Sequence, residues 1–321
     1  MYSSSSKVTE VKAGYRLHLG FYRFYDHPYM YGSIGISIDE PYVKVSVSDS
    51  HELEIKAPTD LSKELIRKVI NVVGRDRVKV VVNGFVDHNV GLGSKTRMVL
   101  TAYSAISTHF NLGFNLSDLI KLLGRKISGV GIYSFMYGNL VVDSGLRVDG
   151  NDAIPKLLHV SDVPSDWYLI VAIPEGIKGL SEGEERSILE HVDAFDKQGE
   201  LYREFIKLTT ALVFKDFNEF TQALTNIQLL TGRYFSKFQG GIYAHEVIDD
   251  IINFMKNEGV RGLGQSSWGP TTYGFVDSYA KALSVKSSLT NYMERRGMPI
   301  RCWVTNVARL GHQIFIHPAN K

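Results

Sequence analysis

The alternation of polar and apolar side chains predicts the first strands of the chain. Over 15–20 every second side chain is polar, which predicts a strand that carries Arg16 and His18 on one face and so brings two cations together. Further strands are predicted at 43–47 and 78–82, with a helical stretch near 61–73 between them. The first part of the chain is therefore rich in strands and contains an inserted helix.

The middle of the chain changes to helical periodicity. Apolar positions predict a buried helix over 96–110, and Asn111 and Gly113 supply its stop signal. A second helix is predicted to open at Asn115 and to run to about residue 123. The segment 129–142 then predicts two short strands that are joined at 137–139, which together would form a β-hairpin.

A polar run at 161–166, interrupted by Pro164, indicates a boundary between two domains, 1–163 and 164–321. Beyond it the pattern predicts an apolar strand at 167–173 and helical stretches at about 185–214, 216–229 and 242–258. A strand at 271–276, a helix at about 278–296 and strands near 300–307 and 312–316 complete the chain. Strands that alternate with helices in this way are typical of an α/β sandwich.

Composition narrows the class of protein. The chain has 321 residues, of which 44% are hydrophobic and 22% are charged, values of an ordinary globular protein with room for two cores. Lys and Arg exceed Asp and Glu by 36 − 34 = 2, so the net charge does not attract nucleic acid or an anionic membrane. No basic run with interleaved aromatic residues supports a nucleic-acid partner either.

Cysteine usage and hydropathy indicate the compartment. Cys302 is the single cysteine, which excludes an intrachain disulfide and a zinc site of paired thiolates and suits a reducing cytosol. The segment 1–10 is rich in serine and lacks the apolar core of a secretory signal, and no apolar run approaches the roughly 20 residues that span a bilayer. We expect a cytoplasmic protein without membrane contact.

The segment 87–97 has the pattern of a phosphate-binding loop between a strand and a buried helix, because small residues let backbone N–H groups approach an anion. Its candidate phosphate-binding residues are Gly91, Leu92, Gly93, Ser94, Lys95 and Arg97. The P-loop pattern fails, since Ser94 and Asn89 stand where it needs glycines, and the dinucleotide fingerprint fails at Thr96. The alternative is a tight strand-to-helix turn with solvated Lys95 and Arg97.

Several motifs together resemble one family. They are RLHLG at 16–20, YGSIGI at 31–36, GLGS at 91–94, GVGIY at 129–133, VVDSG at 141–145 and GQSSWGPT at 264–271. The GLGS loop resembles the second motif of the GHMP kinases. The whole set, in this order, resembles the archaeal beta-ribofuranosylaminobenzene 5'-phosphate synthases of methanopterin biosynthesis, which share that fold.

The resemblance implies an α+β, GHMP-kinase-like two-domain fold, with a ribosomal S5 domain 2-like N-terminal domain and a ferredoxin-like C-terminal domain. It implies an enzyme that joins phosphoribosyl pyrophosphate to 4-aminobenzoate, or to a 4-hydroxybenzoate-like acceptor, and releases CO₂ and pyrophosphate. It also implies Mg²⁺, no use of ATP, and a homodimer. Pyrophosphate is an anionic leaving group that the site must hold, which would explain the cations and the backbone N–H donors of the loop.

The resemblance also assigns candidate roles. Catalytic candidates are Arg16, His18 and Asp143, of which the first two would hold the acceptor's carboxylate. Further candidates for substrate binding are Gln265, Ser266, Ser267 and Trp268, the last as an aromatic platform. Each has a plainer interpretation: Arg16 and His18 as the solvent face of an edge strand, Trp268 as core packing, the polar residues at 265–267 as a turn, and Asp143 as a side chain that bonds its own backbone. Metal ligands stay unassigned.

The chain departs from the family near the supposed site. Arg23 stands where an acidic residue is usual, an Arg is missing before Gly32, Lys95-Thr96-Arg97 replaces Gly-Thr-Gln, and Leu146 replaces a His. Asp26 and Lys95 are candidates to compensate for the first two changes. Three interpretations follow: a divergent synthase or paralogue with another acceptor, an ATP-dependent small-molecule kinase of the same fold, and a protein that binds without catalysis.

Overall fold

Two long strands form the centre of the first sheet. The computed structural model describes residues 7–124, 128–150, 152–190 and 193–318. Strand β1 (Lys7–Asp26) pairs antiparallel with β2 (Tyr29–Asp49) along most of its length. The predicted strands at 15–20 and 43–47 are segments of these two, so both are much longer than the sequence pattern indicated.

Six shorter strands complete this sheet: β3 (Glu54–Lys56), β4 (Val78–Asn83), β5 (Leu140–Asp143), β6 (Leu146–Arg147), β7 (Leu157–Ser161) and β12 (Gln313–Pro318). The main order is β12-β1-β2-β4-β3, while β5 and β6 pair with the first half of β2 and β7 pairs with β5. The sheet that residues before 163 build thus takes one edge strand, β12, from the end of the chain.

The second sheet contains β8 (Tyr168–Pro174), β9 (Arg261–Gln265), β10 (Thr272–Val276) and β11 (Ile300–Thr305). Its order is β11-β8-β10-β9, and each neighbouring pair is antiparallel. With helices between β8 and β9 and between β10 and β11, the chain follows the β-α-β-β-α-β order of a ferredoxin-like unit. The predicted α+β fold class is confirmed.

The helices of the described ranges are α1 (Asp60–Val73), α2 (Ser94–His109), α3 (Leu116–Leu123), α4 (Gly129–Tyr137), α5 (Glu182–Glu190), α6 (Gln198–Phe214), α7 (Phe217–Gln239), α8 (Glu246–Asn257) and α9 (Tyr279–Arg295). Side-chain caps fix several starts, such as Thr59 before α1, Asp216 before α7 and Ser278 before α9. None of these helices is both long and apolar enough to cross a membrane.

The alternation of side chains on β8 shows why 167–173 is apolar without a break. Leu169, Val171 and Ile173 point into the large core that both sheets share with α6 and α7. Ile170 and Ala172 point the other way, into a smaller core beneath α8 and α9. Because successive residues of a strand face opposite sides, a strand that is buried on both sides needs apolar residues throughout.

The predicted hairpin over 129–142 is wrong in its first half. Gly129–Tyr137 forms helix α4, and only Leu140–Asp143 is a strand. The two glycines lower helix propensity, but Ser128 caps the helix through the Gly131 N–H, and a Cβ at Gly129 would lie 2.6 Å from Asp143 Oδ2. Close approach to a neighbouring strand thus requires glycine here, which a local pattern does not reveal.

Two further predictions need correction. The helical stretch predicted at 185–214 is two helices, α5 and α6, and residues 193–197 between them are not helical. Strand β9 was missed, because Gly262 and Gly264 weaken the strand pattern. A Cβ at Gly264 would lie 2.5 Å from Gln228 Oε1, so this glycine lets α7 pack directly on the strand.

Candidate active site

Irregular pairing in the middle of β1 shapes the site. The register between β1 and β2 shifts between Gly14 and Arg16 and again between His18 and Gly20, and such bulges bend a strand and redirect its side chains. Between the shifts, Arg16 lies opposite Ser37 and His18 opposite Gly35. The prediction that Arg16 and His18 share one face of a strand is therefore confirmed.

The glycine-rich loop lies beside Arg16. It follows β4 and ends at Gly93, whose φ of 64° starts helix α2 without a side-chain cap. The first turn of α2 contains no acidic residue, and no side chain caps its backbone N–H groups. Burial lowers the pKa of Arg16 beside the loop, while the carboxylate of Glu185 acts on Arg16 and raises its pKa against that effect. The side chain of Arg16 crosses the loop, with Nη1 3.0 Å from the Gly91 carbonyl oxygen that accepts its hydrogen bond.

The second predicted loop, at 264–271, binds to the first. Ser266 Oγ donates to the Gly91 carbonyl at 2.7 Å and accepts from the His18 backbone N–H at 2.9 Å. The Thr271 N–H donates to the Val90 carbonyl at 3.1 Å, and a Cβ at Gly269 would lie 2.0 Å from Gly91 N. The two motifs, separated by more than 170 residues, form one rigid junction with β1.

Arg97 is the most deeply buried cation of the site. Its side chain is 1% exposed, Nη2 donates to Ser134 Oγ at 2.9 Å, and Nε has no partner among the described residues. Burial, and then the nearby Arg16, lower the pKa of Arg97 to about 9, which leaves it protonated at neutral pH. Arg97 thus makes its hydrogen bond inside the protein, to α4, whereas Lys95, two residues earlier in the helix, is half-buried.

His18 is a neutral group in this structure. Its side chain is 7% exposed, and its Nδ1 accepts a hydrogen bond from the Gly20 N–H at 3.2 Å. Burial, followed by the charge of Arg16, lowers the pKa of His18 to about 3. The expectation of two neighbouring cations is therefore wrong, since only Arg16 carries charge at neutral pH.

Asp143 is placed by three backbone donors. Its Oδ1 accepts from the N–H groups of Ser33 at 3.3 Å and Gly145 at 2.9 Å, and its Oδ2 accepts from Val130 N–H at 3.0 Å. The carboxyl group thus joins β2, β5 and the first turn of α4, where a negative charge suits the helix dipole. Burial nevertheless raises the pKa of Asp143 to about 7.

This pKa predicts a pH-dependent stability. The folded Asp143 keeps its proton to higher pH than the unfolded chain, so the free energy of unfolding should fall as pH rises from about 4 to about 7. At roughly 1.4 kcal/mol per pKa unit, the loss amounts to a few kcal/mol. Urea unfolding at pH 4.5 and pH 7.5 should show a smaller fall for Asp143→Asn than for wild type, and equal falls would contradict the prediction.

A small cavity lies beside His18, with about 30 Å³ of space inside a shallow recess of the surface. Its lining comprises His18, Phe21, Gln228, Thr231, Gly232, Phe235, Gln239, Ile242, Tyr243, Gln265, Ser267 and Trp268. Trp268 is a buried wall of this cavity, packed edge-to-face on Phe235 with ring centroids 4.8 Å apart. The predicted Gln265, Ser267 and Trp268 therefore meet His18 here.

The lining residues from α7 were missed by the sequence pattern. The predicted helix ended at 229, whereas α7 continues to Gln239 and contributes Thr231 and Phe235. Gln265 acts locally: its Oε1 accepts from Ala244 N–H at 2.9 Å, and its Nε2 donates to the Ser267 carbonyl at 3.0 Å. Ser267 has a φ of 57°, so this loop holds a backbone conformation that is uncommon for serine.

Arg23 does not line the cavity. Its Nε donates to Tyr202 Oη on α6 at 3.1 Å, and its guanidinium lies 5.2 Å from the centroid of the Tyr29 ring. Asp26 accepts a hydrogen bond from the same Tyr202 Oη at 2.8 Å. Arg23 and Asp26 thus serve contacts between β1 and α6.

Comparison with known proteins confirms the fold. Residues 205–295 match the family model "GHMP kinases C terminal". Mevalonate kinase of L. major superposes with a TM-score of 0.69 at 12% identity, covering 93% of this chain and 95% of its own. Homoserine kinase of Cytophaga hutchinsonii gives 0.65 at 16% identity, covering 98% and 99%. The chain has the GHMP kinase fold.

The resemblance to the synthases is confirmed as well. Beta-ribofuranosylphenol 5'-phosphate synthase of Archaeoglobus fulgidus is 29% identical over 300 residues, which cover 88% of this chain and 91% of the relative. The synthase of the same name from Methanocaldococcus jannaschii is 26% identical, with coverage of 88% and 93%. That from Methanothermobacter thermautotrophicus is 25% identical, with coverage of 77% and 82%.

Proposed function

We propose that this protein is a beta-ribofuranosylphenol 5'-phosphate synthase-like enzyme. The observation that carries the proposal is the similarity to three synthases of that name along most of the chain. The geometry supports it, because Arg16 and the glycine-rich loop lie beside a cavity with aromatic walls. An anionic sugar phosphate and an aromatic acid are the two substrate classes that such neighbouring surfaces suit.

The anionic substrate in this proposal is phosphoribosyl pyrophosphate. Its leaving pyrophosphate would meet the backbone N–H groups at the start of α2, with Arg16 and Lys95 as nearby cations. Arg97 is too deeply buried to contact the substrate in this structure, so its positive charge would attract the pyrophosphate from a distance. The plainer interpretation, a solvated turn, fits Arg97 poorly.

In the proposed reaction one ring carbon of the acceptor forms a new bond to ribose and loses its bond to the carboxylate. The ring carbon that bears the carboxylate bonds to the anomeric carbon of ribose, whose bond to pyrophosphate breaks with its electron pair on the leaving oxygen. The carbon–carboxylate bond then breaks, its electron pair returns to the ring, and CO₂ departs. The word phenol in the relatives' names favours a hydroxyl-bearing acceptor, 4-hydroxybenzoate, over 4-aminobenzoate.

Mg²⁺ would enter this site with the pyrophosphate. Among the described residues no three His, Cys, Asp or Glu side chains cluster in a way that would hold a metal ion. Both oxygens of Asp143 already accept backbone hydrogen bonds. Since Mg²⁺ commonly keeps several waters and binds mainly through substrate phosphates, we propose that the substrate brings it, and we assign no protein ligand.

We also propose a cytoplasmic homodimer that consumes no ATP. Burial raises the pKa of the single thiol, Cys302, to about 12, which keeps it protonated and unreactive. Because Cys302 forms no disulfide, the fold does not require an oxidising compartment. Sedimentation analysis of the purified protein would test the dimer.

The test is release of pyrophosphate and CO₂ from phosphoribosyl pyrophosphate, Mg²⁺ and 4-hydroxybenzoate, with 4-aminobenzoate in parallel. We expect both products in equal amounts without ATP. A second set of reactions contains ATP and small alcohols, because the solved structures of the same fold include homoserine and mevalonate kinases. ATP-dependent phosphorylation without CO₂ release would replace the synthase proposal with the kinase alternative.

A further inference from the structure

The segment between β8 and α5 lies directly on the glycine-rich loop. The Gly179 N–H donates to the Asn89 carbonyl at 2.7 Å, which bonds this segment to the loop two residues before Gly91. A Cβ at Gly179 would lie 2.1 Å from the Trp268 carbonyl oxygen and 2.6 Å from the Cα of Gly269. The segment therefore contacts the backbone of both loops, at a place where a residue with a Cβ would collide with them.

Helix α5 begins immediately after this contact. Ser181 and Glu184 form a capping box, in which the Ser181 N–H donates to Glu184 Oε2 at 2.8 Å and the Glu184 N–H donates to Ser181 Oγ at 3.4 Å. The Glu185 N–H donates to the Ser181 carbonyl at 2.9 Å, so Glu185 belongs to the first turns of the helix. Its position is thus fixed within one helical turn of a segment that is bonded to the loop.

Glu185 supplies negative charge to a site that is otherwise cationic. The Arg16 guanidinium lies on the glycine-rich loop, where Nη1 donates to the Gly91 carbonyl and Nε has no partner among the described residues. Burial lowers the pKa of Arg16, and the carboxylate of Glu185 opposes that effect. The carboxylate therefore stabilises the charged form of Arg16 from α5, in the place of an anion on the loop.

Helix α5 is attached weakly compared with the helix that the loop starts. None of its described side chains is fully buried, and only Ile188 and Leu189 pack against the large core. Helix α2, by contrast, buries most of its residues. Elements with few buried apolar contacts open at a low free energy, so α5 can move while α2 and the loop stay in place.

We propose that α5 covers the anion site until substrate binds, and that Glu185 is a counter-ion of Arg16 that the pyrophosphate group of the substrate replaces. The inference rests on the proposed function, which assigns this anion to Arg16 and the glycine-rich loop. A carboxylate and a pyrophosphate on the same guanidinium repel each other. The entering anion therefore displaces Glu185, and α5 moves away from the loop.

The first experiment measures the binding of inorganic pyrophosphate by calorimetry, with and without Mg²⁺. We expect Glu185→Gln to bind pyrophosphate roughly tenfold more tightly than wild type, because the competing charge is gone. The matched control is Glu190→Gln, which removes the same charge from an exposed position on α5 and should stay within about twofold of wild type. Equal affinities of wild type and Glu185→Gln would overturn the proposal. So would weaker binding by Glu185→Gln in the presence of Mg²⁺, since Glu185 would then be a metal ligand.

The second experiment follows backbone hydrogen exchange in the wild-type protein, so it does not depend on a variant. Pyrophosphate should speed the exchange of the α5 amides roughly fivefold or more, because the helix leaves the loop, and should slow exchange at the start of α2. In Glu185→Gln the α5 amides should exchange faster than in wild type before pyrophosphate is added. Slower or unchanged exchange of α5 with pyrophosphate would show that the helix closes on the ligand or stays in place, and would contradict the displacement.

The outcomes distinguish this inference from the proposed function, because pyrophosphate binding needs neither an acceptor nor turnover. CO₂ release together with a pyrophosphate affinity that Glu185→Gln leaves unchanged would keep the synthase and reject the covering role of α5. Tighter binding and faster α5 exchange without CO₂ release would keep the role of α5 and reject the synthase. Failure of both wild type and Glu185→Gln to bind pyrophosphate would reject the anion site and its cover together.

Discussion

Gly91→Ala is expected to destabilise the protein by roughly 3 kcal/mol or more and to lower turnover at least 100-fold. Gly91 has a φ of 92°, and an added Cβ would lie 2.3 Å from the Ser266 carbonyl oxygen. The next obstructing residue is Gly269, whose Cα would lie 3.2 Å from that Cβ; both atoms belong to the backbone, so the two loops would have to separate. Separation breaks the bonds that the Gly91 carbonyl accepts from Arg16 and Ser266.

Gly74→Ala is the matched control for Gly91→Ala. Gly74 ends helix α1 with a φ of 70°, but no atom lies within 4 Å of an added Cβ. This variant has the conformational strain without the collision, so it should lose only about 1 kcal/mol and keep full turnover. Thermal unfolding and the CO₂ assay measure both effects. Similar losses in the two variants would show that the loops are not locked together as described.

Arg16→Ala is expected to lower kcat/KM roughly 100- to 1,000-fold, the range for removal of one preorganised donor to a developing negative charge. Arg16 is the charged side chain that reaches the glycine-rich loop from β1, with Nη1 on the Gly91 carbonyl and Nε without a partner. Arg16→Lys should recover part of the loss, because it restores the charge without the planar fork. Steady-state kinetics with varied phosphoribosyl pyrophosphate provide the measurement.

Arg23→Ala serves as the control on the same strand. Arg23 contacts Tyr202 and Tyr29 rather than the loop, so its loss should change kcat/KM by no more than about threefold. Arg23 would then be dispensable for the reaction. If Arg23→Ala were as damaging as Arg16→Ala, the assignment of the anion site to Arg16 and the loop would be wrong.

Local patterns predicted those elements whose burial is regular. The buried residues of helix α1 recur at the spacing of an amphipathic helix, and the helix begins at the Thr59 capping box. Its limits were therefore predicted almost to the residue. Helix α4 failed the same test, because Gly129 serves close contact with Asp143 on β5 rather than local propensity. A glycine that permits close packing is indistinguishable, in one sequence, from a glycine that makes a turn.

In the candidate site, too, some features follow from local sequence and others depend on packing. The sequence alone determined the glycine-rich loop, the common face of Arg16 and His18, and the motifs shared with the synthases, because each lies in a short segment. The α+β fold class followed from the resemblance that those motifs carry. Only the tertiary structure decided that Ser266 joins His18 to Gly91, that α7 supplies the cavity wall, and that His18 is neutral. Such properties depend on burial and on partners distant in the chain, which no local pattern encodes.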